Sequence, residues 1–290
     1  MELEVVWEAG ATLGEGPIWF DNQLFWIDIE LGHLHIYHPA DDGKETFKLP
    51  WKIGTVVPRK SGGLVLGTEK GFVLFDPKSE KVIPLPNPPH ETMAGRFNDG
   101  KCDPQGRFWA GTKASQDGVA TGHLYRLDPD FQCTVIQEGI GCSNGLAWTA
   151  DQSTFCYIDS FKNRIEAYDF DPDSGSIENQ RIIKDTPEGH EPPVFDGMTI
   201  DSEDRLWVAR WGGWSIQCID PSTGEVLEQV EVPVRKTTAC WFGGPDLSDL
   251  YITCASIDES EKQLKKQPLA GSLFRCRPGA TGIPVVPFAG

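Results

Sequence analysis

The 290-residue chain is short of positive charge. Its 26 lysines and arginines stand against 43 aspartates and glutamates, a formal net charge of -17. A nucleic-acid backbone or an anionic membrane surface would be repelled by such a chain, so both are excluded as partners, and neutral molecules or cations are expected. Nowhere do 18 apolar residues run together, so no membrane-spanning helix is expected. The start, Met1-Glu2-Leu3-Glu4, lacks the basic and apolar regions of a secretory signal, and the expected compartment is the cytoplasm. Eight cysteines occur without a single CxxC pair, most of them inside apolar runs such as Phe155-Cys156-Tyr157. Buried free thiols are expected, rather than disulfides or a zinc knot. Helical periodicity is also nearly missing.

Short strands fill that gap. The chain carries 31 glycines and 22 prolines, and its apolar runs are brief and bounded by polar turns. The best example is Phe195-Asp196-Gly197-Met198-Thr199-Ile200, followed by a Ser202-Glu203-Asp204 turn and then Leu206-Trp207-Val208-Ala209. The layout recurs, with second-strand marks at Leu24, Leu64, Phe108, Phe155, Leu206 and Leu250. After each mark comes another apolar segment ending in a turn, as in Gly71-Phe72-Val73-Leu74-Phe75-Asp76-Pro77. Six copies of a four-stranded unit describe an all-β fold, a six-bladed β-propeller occupying residues 1–290 as one domain. The alternating stretch Leu3-Glu4-Val5-Val6-Trp7 is expected to complete the last blade and cover its open edge.

The innermost strand of a propeller blade lines the central channel, so equivalent positions face one another around an axis. Nine to twelve residues before each mark stand Glu15, Gly54, Asn98, Asn144, Asp196 and, in the last repeat, Thr238 or Ala239. Four oxygen-bearing side chains thus share one register. Asn-Gly and Asp-Gly pairs are ordinary turn formers, but nothing about a turn calls for the glutamate of Glu15-Gly16-Pro17. Converging carboxylates repel unless a cation joins them, and an all-oxygen set suits a divalent ion such as Ca²⁺, Mg²⁺, Mn²⁺, Zn²⁺ or Fe²⁺.

Four other motifs lead nowhere. Gly141-Cys142-Ser143-Asn144-Gly145 matches the nucleophile-elbow pattern, yet the Thr149-Ala150-Asp151 turn follows too soon for the helix such an elbow needs. His33, His35 and His38 are expected on the surface, and Glu259, Glu261, Lys262, Lys265 and Lys266 in a solvated insertion. His190-Glu191 lacks a second histidine at metal-binding spacing.

The stretches Leu13-Gly14-Glu15-Gly16-Pro17, Arg96-Phe97-Asn98-Asp99-Gly100-Lys101, Ser143-Asn144-Gly145-Leu146, Pro193-Val194-Phe195-Asp196-Gly197-Met198 and Cys240-Trp241-Phe242-Gly243-Gly244 together resemble the SMP-30/gluconolactonase family. The resemblance implies one divalent cation held by Glu15, Asn144 and Asp196, with Asp196 as the catalytic residue. It also implies hydrolysis of aldonolactones. Arg96 and Asn98 match the residues that contact substrate. Gln116 stands where family members carry a sugar-contacting glutamate, and Lys113 replaces a common methionine, so the metal site carries over more directly than the sugar preference. A metal-dependent lactonase acting on a small sugar lactone, as a monomer or weak homo-oligomer, is the expected function. An organophosphate or aryl-ester hydrolase and a non-enzymatic calcium-binding protein are the alternatives.

Overall fold

In the computed structural model, which describes residues 2–86, 88, 95–114, 119–186 and 192–290, the chain forms six four-stranded antiparallel sheets. Five are built from consecutive strands. The third, for example, runs Gly95–Cys102, Phe108–Ala114, Gly122–Leu127 and Cys133–Ile140, each paired with the next. The six innermost strands are Gly14–Phe20, Ile53–Pro58, Gly95–Cys102, Ser143–Trp148, Val194–Ile200 and Thr237–Gly243. They touch one another in sequence, and the sixth returns to the first. The sheets are therefore the blades of a six-bladed propeller around a common axis.

Sequence composition dictates which strand goes where. Inner strands such as Ile53–Pro58 and Val194–Ile200 are buried along their whole length, as expected of strands covered on both faces. Outer strands such as Gly43–Lys48 and Val226–Glu231 are charged and mostly exposed. Apolar area thus falls from hub to rim, and charged residues blunt the six outer edges.

The last blade takes its fourth strand from the other end of the chain. Glu4–Trp7 pairs antiparallel with Leu273–Cys276, placing Glu4 opposite Arg275 and Val5 opposite Phe274. Arg275 Nε and Nη2 both donate to one oxygen of the Glu4 carboxylate, at 3.2 and 2.7 Å, and fasten the seam. Trp7 reaches into the first blade, edge-on to Trp26 at 5.5 Å and to His35 at 5.0 Å between ring centroids. His35 is buried rather than on the surface, because it stacks on Trp26 at 4.1 Å and bonds Thr46 Oγ1 at 2.9 Å. All eight cysteines are free thiols and six of them are buried. The charged insertion also differs from expectation. Ser260 caps a short helix, Glu261–Leu264, while the Glu259 side chain is buried against Arg235 at 2.7 Å and Lys236 at 3.5 Å.

Candidate metal and substrate site

All six inner strands lose their register at the same level. Slips fall between Glu15 and Ile18, Ile53 and Thr55, Phe97 and Gly100, Asn144 and Leu146, Phe195 and Met198, and Thr237 and Ala239. A bulge leaves one residue unpaired and re-aims its side chain. Here the bulges turn Glu15, Asn98, Asn144 and Asp196 toward one cavity of about 450 Å³ at one mouth of the channel. Arg96, Lys113, Ser160 and Trp211 also line it.

The two remaining blades contribute no donor, for stereochemical reasons. At Gly54 a Cβ would sit 1.9 Å from the carbonyl oxygen of Phe97, so the neighbouring inner strand leaves no room for a side chain. Thr238 turns its hydroxyl away from the cavity and donates to the carbonyl of Gly14 at 2.6 Å, holding the backbone beside Glu15. A similar close approach explains the glycine after Asp196, since a Cβ on Gly197 would meet that of Ala239 at 2.5 Å.

A polar chain crosses three blades behind the donors. Arg96 Nη1 donates to Asn98 Oδ1 at 2.6 Å, Asn98 Nδ2 to Asn144 Oδ1 at 3.0 Å, and Asn144 Nδ2 to Ser160 Oγ at 2.7 Å. Ser160 in turn donates to the carbonyl of Phe195 at 2.6 Å, next to Asp196. Because Ser160 spends its proton on Phe195, it must accept from Asn144, and the amide oxygen of Asn144, which accepts from Asn98, keeps a second lone pair.

Backbone donors ahead of the first and fourth inner strands are held by acids that the sequence did not mark. Asp28 accepts from Thr12 N at 2.7 Å and Leu13 N at 3.2 Å, just before Glu15. Asp159 accepts from Gly141 N at 3.1 Å and Cys142 N at 2.9 Å, just before Asn144. In the fifth blade Asn163 takes this part, accepting from Phe195 N at 2.9 Å. A faint signal did exist: Trp26-Ile27-Asp28 and Tyr157-Ile158-Asp159 end their strands alike.

The electrostatics favour a cation. Glu15 is pushed up to about 8, first by burial and then by the Asp99 carboxylate. Asp196 is raised well above the usual carboxylate range by burial, then by Glu15 and Asp99. Lys113 partly offsets this at Asp196, and Arg96 and Lys101 do so at Glu15. Two buried carboxylates, crowded by like charge, and the amide oxygen of Asn144 fit a hard divalent ion completed by water or substrate. Among the described residues no group of three or more His, Cys, Asp or Glu could hold an ion. The fit therefore depends on the amide of Asn144. Gln116 and His190-Glu191 lie outside the described residues. Ser143 is buried in a strand with its Oγ accepting from Tyr157 at 2.9 Å, not exposed on an elbow.

Known proteins share this architecture and sequence. The family model described as "SMP-30/Gluconolactonase/LRE-like region" matches residues 13–256. Regucalcin of Oryctolagus cuniculus is 36% identical over 298 residues, covering 100% of this chain and 99% of its own length. The "Putative sugar lactone lactonase YvrE" of Bacillus subtilis (strain 168) is 36% identical over 294 residues, covering 99% of each. A solved structure of a luciferin-regenerating enzyme superposes with a TM-score of 0.92 at 31% identity, over 100% of this chain and 99% of its own. With its six blades, its bulged inner strands and a match that spans the donor residues, the chain belongs to the SMP-30/gluconolactonase/LRE-like family.

Proposed function

We propose that the protein is a metal-dependent lactonase that opens the ester ring of a small sugar lactone to give the aldonic acid. The observation that carries this reading is the convergence of Glu15, Asn98, Asn144 and Asp196 in one cavity lined also by Arg96. Glu15, Asn144 and Asp196 would hold the ion, and Arg96 and Asn98 would contact substrate. When bound, a divalent cation polarises the lactone carbonyl and makes a coordinated water more acidic.

The residues of this chain divide the remaining work. Asp196 accepts a proton from the attacking water, the role of a carboxylate within hydrogen-bond reach of it. Water oxygen adds to the carbonyl carbon, and the negative charge that collects on the former carbonyl oxygen faces the Arg96 guanidinium. Collapse of the tetrahedral species breaks the bond to the ring oxygen, which takes its proton back from Asp196. Asn98, fixed between Arg96 and Asn144, orients a sugar hydroxyl. The excess of acidic residues on the protein favours departure of an anionic product.

Hydrolysis of glucono-, xylono-, galactono- and arabinono-lactones by metal-stripped protein resupplied with single divalent ions is the direct test. Activity restored by one or more ions, and lost in Asp196→Ala with the fold intact, is expected. Near-normal kcat in Asp196→Ala would remove that residue from its role. Tight metal binding with no turnover of any lactone would favour a cation-binding protein, and turnover of phosphotriesters alone an organophosphate hydrolase.

A further inference from the structure

The channel has a second cavity, of about 270 Å³, at the end of the inner strands away from Asp196. Ile18, Leu146, Trp148, Ile200 and Trp241 give it apolar walls, and Lys101 is the one charged residue that lines it among the described residues. Lys101 crosses the axis. From the third blade it donates to the carbonyl of Met198 in the fifth, and its Nζ lies 4.9 Å from the ring centre of Trp241 in the sixth. A lysine ammonium carries three donors, and this one finds a single hydrogen-bond acceptor among the described residues. An unmet N–H group therefore borders an apolar space. Residues 281–288 form a strap across the same end. On one side Ser202 N donates to Thr281 O at 2.8 Å and Gly282 N to Leu247 O at 2.9 Å, and on the other Phe288 N donates to Pro58 O at 2.8 Å. Between these anchors Ile283, Val285 and Val286 line the cavity, and their N–H groups have no acceptor among the described residues. A segment bonded only at its ends opens at little cost.

We propose that this cavity is a second binding site, separate from the lactone site, for a small neutral apolar molecule with one carbonyl oxygen, a ketone or an ester, which enters beneath the strap. The apolar body fills the space between the walls, and the carbonyl oxygen accepts the spare N–H of Lys101. The volume lies just below the range of pockets that hold drug-sized ligands, so a molecule of one ring fits. Asp99 decides the charge of the ligand. It is buried, and among the charges acting on Lys101 it is the largest of opposite sign, so the lysine already has its counter-charge. A ligand carboxylate would be repelled by Asp99, whereas a neutral oxygen is not. A bare hydrocarbon would leave the N–H unmet in an apolar setting, which costs free energy that a carbonyl recovers.

The experiment titrates metal-loaded protein calorimetrically with acetophenone, ethylbenzene and benzoate, which share a ring and differ in the group they offer to Lys101. Acetophenone is expected to bind saturably and about tenfold or more tighter than either of the others, the scale of one hydrogen bond to a charged group. Lys101→Met should erase its advantage over ethylbenzene. Val286→Trp, which fills the cavity from the strap and leaves Lys101 in place, should abolish binding, while Asp196→Ala, at the other mouth of the channel, should leave the affinity unchanged. Hydrogen exchange at Ile283, Val285 and Val286 should slow when acetophenone is added. Absence of saturable acetophenone binding, equal or tighter binding of ethylbenzene or benzoate, or binding that survives Val286→Trp overturns the proposal. Lactone turnover enters none of these outcomes, so the second site and the lactonase reading stand or fall separately.

Discussion

Asp159 never approaches the cavity, yet it decides where Asn144 stands. Its two oxygens take the backbone N–H groups of Gly141 and Cys142, and Phe161 N adds a third bond at 3.2 Å. The bulge that aims Asn144 starts two residues later. Asp159→Ala should weaken binding of the divalent ion by about 10- to 100-fold, the cost usual for losing a group that orients a ligand. Titration calorimetry measures this directly, and unchanged affinity would show that the inner strand holds its bulge unaided. The sequence singles out Glu15, Asn98, Asn144 and Asp196 because they recur at a similar distance before each second strand, a one-dimensional signal. Asp28 and Asp159 act on backbone groups of the loops before their inner strands, and Ser160 and Asn163 act across a blade boundary. Those relations exist only once the chain has folded, so a register count could not find them. His35 misled for a related reason: three histidines in six residues look solvated until Trp7 arrives from the far end of the chain to cover one of them.

At the scale of the strand and turn, the propeller was legible because each repeat restates apolar run, polar turn and apolar run, and the blade boundaries fall where those signals change. The bulges were not legible, since no residue type demands one. A third feature lay between these two cases. Asp103 accepts from Gln105 N, Arg107 N, Arg107 Nε and Trp109 Nε1 at 2.5 to 3.0 Å. Asp201 repeats the set with Glu203 N, Arg205 N, Arg205 Nε and Trp207 Nε1 at 2.7 to 3.0 Å. An Asp-x-x-x-Arg-x-Trp spacing thus locks the hairpin between the inner and second strands of two blades. Asp201 is fully buried, so Asp201→Ala strands the indole N–H and leaves the Arg205 guanidinium without its main partner. Stability should fall by about 3 kcal/mol, read as a drop in the urea midpoint. Activity per folded molecule should not change, because the turn lies at the end of the inner strand remote from Asp196. A loss below about 1 kcal/mol would mean that the aspartate is replaced by water there.

Closure is the property of the whole molecule that no single repeat contains. The seam between the last and first blades is where Trp7, Trp26 and His35 meet, and the His35 ring is held down at about 4 by burial and then by the nearby His33. An unfolded chain would titrate this histidine near 6.5, so the unfolded state binds more protons in between. The stability contributed by the neutral ring is therefore complete above about pH 6.5 and is lost as pH falls toward 4, a total of about 3 kcal/mol. His33, 5.8 Å from it, is lowered as well and adds a smaller drop of the same sign. Many carboxylates titrate over the lower part of this range, so the useful quantity is a difference. The urea midpoint of the protein minus that of His35→Gln, followed from pH 7.5 to 4, should decline across the window, because only the native side chain must discharge to stay in place. Hydrogen exchange should locate the earliest opening at Glu4–Trp7, since that strand alone is joined to its blade without covalent continuity. A pH-independent difference would mean that the seam tolerates a charged ring. The closure would then rest on the Glu4–Arg275 pair and the edge hydrogen bonds, and the propeller would be as stable to acid at its seam as in any other blade.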